Sequence, residues 1–135
     1  MKYLVDVNVL SEATKPAPDP KVICWLRANE SELVIDPVVL GEIRLGILLM
    51  PKGKRRAGLQ EWFDSRVSQL ECLPWEATTA LRWADLLSKL RIRGLNIPMK
   101  DSMIAATALV HGLTVVTRNV GDFKRSGVPV LNPFR

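Results

Sequence analysis

Four carboxylates in this chain occupy positions that call for an explanation. Asp6 sits in YLVDVNVL, near the middle of an apolar, β-forming run, and burying an ionised carboxylate is costly unless something offsets it. Glu42 lies in PVVLGEIRLGILLM, which has a helical pattern. Its same-face helical neighbours are Val38, Leu45, Gly46 and Leu49, all apolar or small, which predicts that Glu42 points toward the core side. Asp101 opens DSMIAATALV in phase with Ile104, Ala105 and Ala108, and Asp122 follows the apolar run LTVVT after a short loop. Each acid has an ordinary reading when taken alone. An Asp leaving a strand forms an Asx turn, a Glu at the edge of a stripe reaches water, and an acid at a helix start caps it. Brought to one place, however, four acids cannot all stay ionised without cations. An all-oxygen set of this kind suits Mg²⁺ or Mn²⁺. Such an ion polarises a phosphate and makes hydroxide available for in-line attack.

The elements that would position these acids are short. Residues 2–5 read as a buried strand, with Asn8 as the N-cap of a brief helix to about Ala13. A helix starts at Pro20, LVID is a second strand, and Pro37 opens the helix that carries Glu42. PKGKRR reads as a basic turn before an amphipathic helix with Leu59, Trp62, Phe63 and Val67 inward. CLP is a third strand, and a long helix from about Trp75 to Arg93 places Leu81, Ala84, Leu87 and Leu90 on one stripe. RGLNIPM is a loop, the Asp101 helix ends at Gly112, LTVVT is a mid-sheet strand, and VPVL is the last. Short apolar strands alternating with helices predict an α/β fold: a central parallel sheet of about five short strands with helices on both faces. Ligands of such sheets bind beyond the carboxyl ends of the strands, which is where Asp6 and Asp122 fall.

Composition narrows the class. The chain of 135 residues reads as a single domain, 1–135, with 47% hydrophobic and 24% charged residues. The excess of 19 Lys+Arg over 14 Asp+Glu gives a net charge of +5, which suits a polyanionic partner. No apolar run approaches the roughly 18 residues a bilayer requires. Asp6 interrupts what could have been a signal peptide. Cys24 and Cys72 are too few and too far apart for a zinc site or a disulfide framework, so they read as two packed thiols in a reducing cytoplasm.

Three blocks, KYLVDVNVLSE, LGEIRLGI and IPMKDSMIAATALVHGLTVVTRNVGDF, in this order and spacing, resemble the PIN-domain ribonucleases, in particular the VapC-like and FitB-like toxins of bacterial toxin–antitoxin pairs. The likeness covers essentially the whole chain. It implies a PIN-like parallel sheet, a Mg²⁺ site in which Mn²⁺ can substitute, cleavage of single-stranded or loop regions of RNA, a homodimer, and inhibition by a small antitoxin that is often DNA-binding. Carried over position by position, the resemblance makes Asp6 and Asp101 direct metal ligands. Glu42 and Asp122 would act through water or orient the attacking water, and Asn8, Thr117 and Asn119 would support the geometry. One position departs from the pattern: relatives carry Thr or Ser after the first Asp, and here Val7 replaces that hydroxyl, which would lower affinity or rate if the hydroxyl supports Asp6.

Basic candidates along an RNA path are Arg44, Lys100 and Arg118, the last two flanking site positions. The run Lys52, Lys54, Arg55, Arg56 reads as a solvated turn, His111 as a helix-end residue favoured by the dipole, and Trp25 and Trp62 as packing or partner-surface residues. An aspartyl-phosphate phosphatase would want D-x-D, but Asn8 stands at that second position. The non-enzyme alternative is a PIN fold that binds RNA, or serves as a scaffold for a DNA-binding partner, with weak or no catalysis. It would be expected to lose a site acid, and all four are present.

Overall fold

A computed structural model describes residues 1–135. Five strands, β1 (Tyr3–Val5), β2 (Leu33–Ile35), β3 (Glu71–Cys72), β4 (Thr114–Val116) and β5 (Val130–Leu131), form one sheet in the order β3-β2-β1-β4-β5. Every adjacent pair is parallel. Seven helices connect them: α1 (Val7–Leu10), α2 (Pro20–Ala28), α3 (Pro37–Leu48), α4 (Lys54–Ser65), α5 (Ala77–Ile92), α6 (Met99–His111) and α7 (Val120–Arg125). The expected α/β architecture with five parallel strands is therefore present.

The central strands end in apolar pairs because both faces of the sheet are covered there. Leu4, Val5, Val34, Ile35, Val115 and Val116 are all buried. The chain order puts β1 at the centre, flanked by β2 and β4. The sheet order changes direction at β1, so the carboxyl ends of β1 and β4 border the crevice where an open parallel sheet binds ligands. Asp6 follows β1 directly and Thr117 follows β4 directly.

Local chemistry fixes the helix starts. Asp36 and Asp19 cap α3 and α2 from the residue before a proline, accepting from the Val38 and Lys21 amides at 2.8 and 2.9 Å. Gly112 ends α6 with φ +65°, a conformation that a side chain would strain. The first helix is capped by Asp6 and not by Asn8, and starts two residues earlier than the sequence pattern predicts, at Val7. Helix α6 likewise starts at Met99, after Pro98, so Asp101 lies in its first turn.

Other differences concern which way helices face. On α5 the buried positions are Thr79, Leu86 and Leu90, whereas Leu81 is 70% exposed and Ala84 is also exposed. Lys54, Arg55 and Arg56 belong to the first turn of α4, and Val67 lies in a short 3₁₀ turn beyond it. Cys24 is exposed and only Cys72 is partly buried, so the two thiols are not both packed. Trp25 packs edge-on against Tyr3, with centroids 4.9 Å apart. Trp62 lines an apolar groove of about 340 Å³ with Leu10, Ile23, Leu26, Val67 and Leu70. No helix is long and apolar enough to cross a membrane.

Candidate active site

A hydrogen-bonded network at the carboxyl ends of β1 and β4 gathers most of the expected residues. Asp6 leaves β1 in extended conformation and is 7% exposed. Its Oδ1 accepts from the Val7 amide at 2.8 Å, and its Oδ2 accepts from Thr117 Oγ1 at 2.8 Å and Asn8 Nδ2 at 3.3 Å. Thr117 Oγ1 accepts in turn from the Asn119 amide at 2.9 Å and from Asn8 Nδ2 at 3.3 Å. The Asn119 side-chain amide reaches Asp101 Oδ2 at 2.8 Å and Asp122 Oδ2 at 2.9 Å. Asn8 Oδ1 accepts from the Arg118 backbone at 3.0 Å, closing the ring of contacts around Thr117.

Three acids from remote parts of the sequence are thereby tied into one assembly. β1 delivers Asp6, the first turn of α6 delivers Asp101, and the first turn of α7 delivers Asp122. Val7 adds no hydroxyl, but its amide donates to Asp6, and its side chain packs against the core. The hydroxyl on Asp6 comes from Thr117 across the β1–β4 pair.

Glu42 joins this group from the side. The predicted core-facing stripe is the outward stripe: Leu45 is 55% and Leu49 76% exposed, while Val39, Ile43 and Ile47 form the buried stripe. Three- and four-residue spacing identifies neighbours on a face, not which face is covered. Here both faces of α3 carry apolar residues, so the pattern misassigns the inner one. Glu42 is partly exposed and forms an ion pair with Lys100 of α6. Arg44 is hydrogen-bonded to Gln60 of α4 and takes no part in the network. The guanidinium of Arg118 stacks on the Phe134 ring, 3.8 Å from its centroid.

The electrostatics follow from this crowding. Burial pushes the Asp101 carboxyl up to about 6, and the charges of Asp6 and Asp122 add to the effect, against Lys100 and Asn119. Burial also raises Asp6, helped by the charge of Glu42 and opposed by the Thr117 and Val7 hydrogen bonds and by Lys100. The Lys100 ammonium is held above its ordinary value, first by its hydrogen bond to Glu42 and then by the charges of Glu42, Asp101 and Asp6. The acids thus form a negative region with one ammonium drawn into it.

That is the electrostatic setting a divalent cation would relieve, and the donor set fits a hard one. All candidate ligands are carboxylate, amide or hydroxyl oxygens, with no thiolate or imidazole in the network. As placed, no three of the acidic side chains converge closely enough to ligate one ion together.

Two buried acids escaped the sequence reading. Asp36 is fully buried at the end of β2, where Thr107 of α6 donates to it along with the Val38 amide. Burial raises its carboxyl. Its signal was present: an apolar triplet, then Asp, then the first residue of a helix, the same arrangement as Asp6. Glu12, 4% exposed, accepts from the Asp19 amide at 2.8 Å and pairs with Lys15 at 2.9 Å, tying the first helical segment to the start of α2.

Comparison with known proteins places this geometry in a family context. Residues 3–128 match the PIN domain. The chain is 37% identical over 135 residues to the plasmid stability protein StbB of Pseudomonas syringae pv. tomato, covering 97% of each. It is 34% identical to the VapC ribonuclease Y4jK of Sinorhizobium fredii, covering 97% of this chain and 96% of that one. It is 36% identical to the toxin FitB of Neisseria gonorrhoeae, covering 97% of each. Among solved structures, FitAB bound to an IR36 DNA fragment contains a chain that superposes with a TM-score of 0.92 at 33% identity, covering 98% of this chain and 96% of that one.

Proposed function

The chain belongs to the PIN-domain family, and on that premise we propose that it is an endoribonuclease toxin, held in check by a cognate antitoxin that binds DNA. The observation that carries this reading is the network in which Thr117 and Asn119 tie Asp6, Asp101 and Asp122 together. The relatives named ribonuclease or toxin, and the neighbouring FitAB–DNA structure, support the substrate class and the partner.

We assign Mg²⁺, with Mn²⁺ able to substitute, to the acid cluster. Asp6 and Asp101 are the direct ligands in this reading, with Glu42 and Asp122 acting through water. When bound, the cation polarises the phosphodiester and makes hydroxide available near neutral pH. The remaining work falls to the chain itself. Asp122 and Glu42 orient the attacking water as hydrogen-bond acceptors. Thr117 and Asn8 hold Asp6 in one rotamer, and Asn119 keeps Asp101 and Asp122 at a fixed separation. Arg118, braced on Phe134, and Lys100 supply positive charge at the rim for the RNA backbone. Residues 1–135 act as a single domain. Leu45 and Leu48, exposed on α3, and Leu49 at its C-cap give the homodimer an apolar face to cover. The free cysteines and an RNA substrate fit the cytoplasm.

The test is cleavage of structured RNAs, tRNA included, in Mg²⁺, Mn²⁺ or EDTA, beside Asp6→Asn and Asp101→Asn. Cleavage by the wild type with metal, lost in EDTA and in both variants, is the expected result. Cleavage persisting in EDTA or in both variants would overturn the mechanism.

A further inference from the structure

We infer that Lys100 is a built-in counter-cation of the acid cluster, holding Glu42 in the metal-free protein and competing with the divalent ion for that cluster. The inference rests on the metal reading proposed above and concerns how the site is loaded.

The observations come from two helices. Glu42 projects from α3 and Lys100 from the first turn of α6, one residue before Asp101, 58 positions apart in sequence. The ammonium contacts one oxygen of Glu42, and it also feels the charges of Asp101 and Asp6. Among the ion pairs of the chain, Lys100–Glu42 is the one that joins two of these helices at the acid cluster. An ammonium has three donors and no fixed coordination geometry, so it can neutralise acids that do not converge on one point. The carboxylates here are arranged in that way.

A divalent cation that draws on Glu42, directly or through water, must displace this ammonium or share the carboxylate with it. Removing the lysine therefore has two opposite consequences. The metal-free protein loses its internal neutralisation, and the metal gains an uncontested carboxylate in a more negative site. The side chain of Lys100 is 57% exposed, so the contest is a modest one, up to about fivefold in affinity for a solvent-exposed pair. On displacement the ammonium is freed at the rim, one residue from Asp101, to meet a phosphate of the substrate.

The experiment is Mn²⁺ binding to the full chain, followed by calorimetry and by the paramagnetic signal of free Mn²⁺, neither of which depends on catalysis. Wild type, Lys100→Met and Lys100→Arg are compared, with thermal unfolding in EDTA and in saturating Mn²⁺. Lys100→Met is expected to bind Mn²⁺ several-fold more tightly, to melt lower than wild type in EDTA, and to show the larger gain in Tm on adding Mn²⁺. Lys100→Arg, which keeps the charge, is expected to stay near wild type. Should Lys100→Met prove unfolded in EDTA, recovery of the native circular dichroism spectrum on adding Mn²⁺ supports the inference, and failure to recover overturns it. Unchanged or weaker Mn²⁺ binding by a folded Lys100→Met overturns the inference while leaving the metal reading intact. Absence of Mn²⁺ binding by wild type and variants alike overturns both.

Discussion

The side-chain amide of Asn119 donates to Asp101 at 2.8 Å and to Asp122 at 2.9 Å, so a single nitrogen holds two carboxylates from different helices. Its backbone amide meanwhile donates to Thr117, which donates to Asp6. Replacing Asn119 with Ala leaves the two carboxylates facing each other without their shared donor. If Asp101 and Asp122 serve the proposed metal, RNA cleavage is expected to fall about 10- to 100-fold, the usual cost of losing a group that orients ligands. The acid limb of the pH–rate profile is expected to move to higher pH, because Asp101 loses a hydrogen bond that favours its ionised form. Steady-state rates across pH 5–8 check both effects, and an unmoved acid limb would argue against the bridge.

Asp101→Asn is expected to separate stability from activity. It removes a buried charge repelled by Asp6 and Asp122, so the metal-free protein gains stability at neutral pH, on the order of 1–2 kcal/mol. Cleavage, and the stabilisation by Mg²⁺, should be lost. Chemical denaturation in EDTA and in Mg²⁺ measures both. A destabilised variant in EDTA would contradict the electrostatic account.

The pH dependence of stability follows from the same residue. The Asp101 carboxyl titrates near 6 in the folded chain, against about 3.9 when unfolded. Between these values the folded state holds a proton that the unfolded state has already lost, so metal-free stability declines as pH rises from about 4 to 6. Asp6 and Asp36, both raised by burial, act in the same direction. Mg²⁺ requires the deprotonated acids, so its stabilisation should be small at pH 5 and large at pH 7.5. Thermal unfolding with and without Mg²⁺ tests this, and an equal gain at both pH values would rule it out.

Thr117→Val removes the hydroxyl donor to Asp6 and the acceptor of the Asn119 amide. The expected cost is about 1–3 kcal/mol, since buried polar partners are left unpaired, together with a large loss of cleavage. Thr117→Ser restores the hydroxyl and should recover most of the activity. A Ser variant as impaired as Val would mean that the methyl group, not the hydroxyl, is what matters.

Asp36 offers a control outside the Asp6–Thr117–Asn119 network. Asp36→Ala deletes the cap of α3 and leaves the Thr107 hydroxyl only a longer, 3.4 Å contact to the Met103 carbonyl, with an expected loss of about 1–3 kcal/mol in denaturant unfolding. Asp36→Asn keeps a capping oxygen and should lose less. Equal stability of the Ala variant and wild type would show that the α3–α6 tie carries no weight.

Much of the sheet was legible because each strand is a short apolar run ending in a distinctive residue, such as Asp6 after Tyr3–Val5 or Pro37 just after Leu33–Ile35 and Asp36. The positions of Asp6, Asp101 and Asp122 followed from where those strands and helices begin or end. What was not legible depends on the faces presented to neighbouring elements. The spacing around Glu42 marks a stripe on α3, but only packing shows that Leu45 and Leu49 stay uncovered. Leu81 fits the α5 stripe and is nevertheless exposed. The Lys100–Glu42 pair and the Asp36–Thr107 tie both join α3 to α6 across long separations, and no local pattern encodes such contacts. Val7, the irregular position in the first motif, leaves Asp6 with a hydroxyl donor from Thr117.

The parallel pairing of β1 with β4 also has a consequence for synthesis. Asp6 is made 111 residues before its donor Thr117, and Asn119 and Asp122 follow still further on. A nascent chain that stops short of β4 carries Asp6 and Glu42 without the residues that complete the network. The site therefore forms only after β4 and the first turn of α7 have been made. Until then Asp6 lacks the Thr117 hydroxyl that holds its carboxylate, and Asp101 lacks the Asn119 amide that ties it to Asp122.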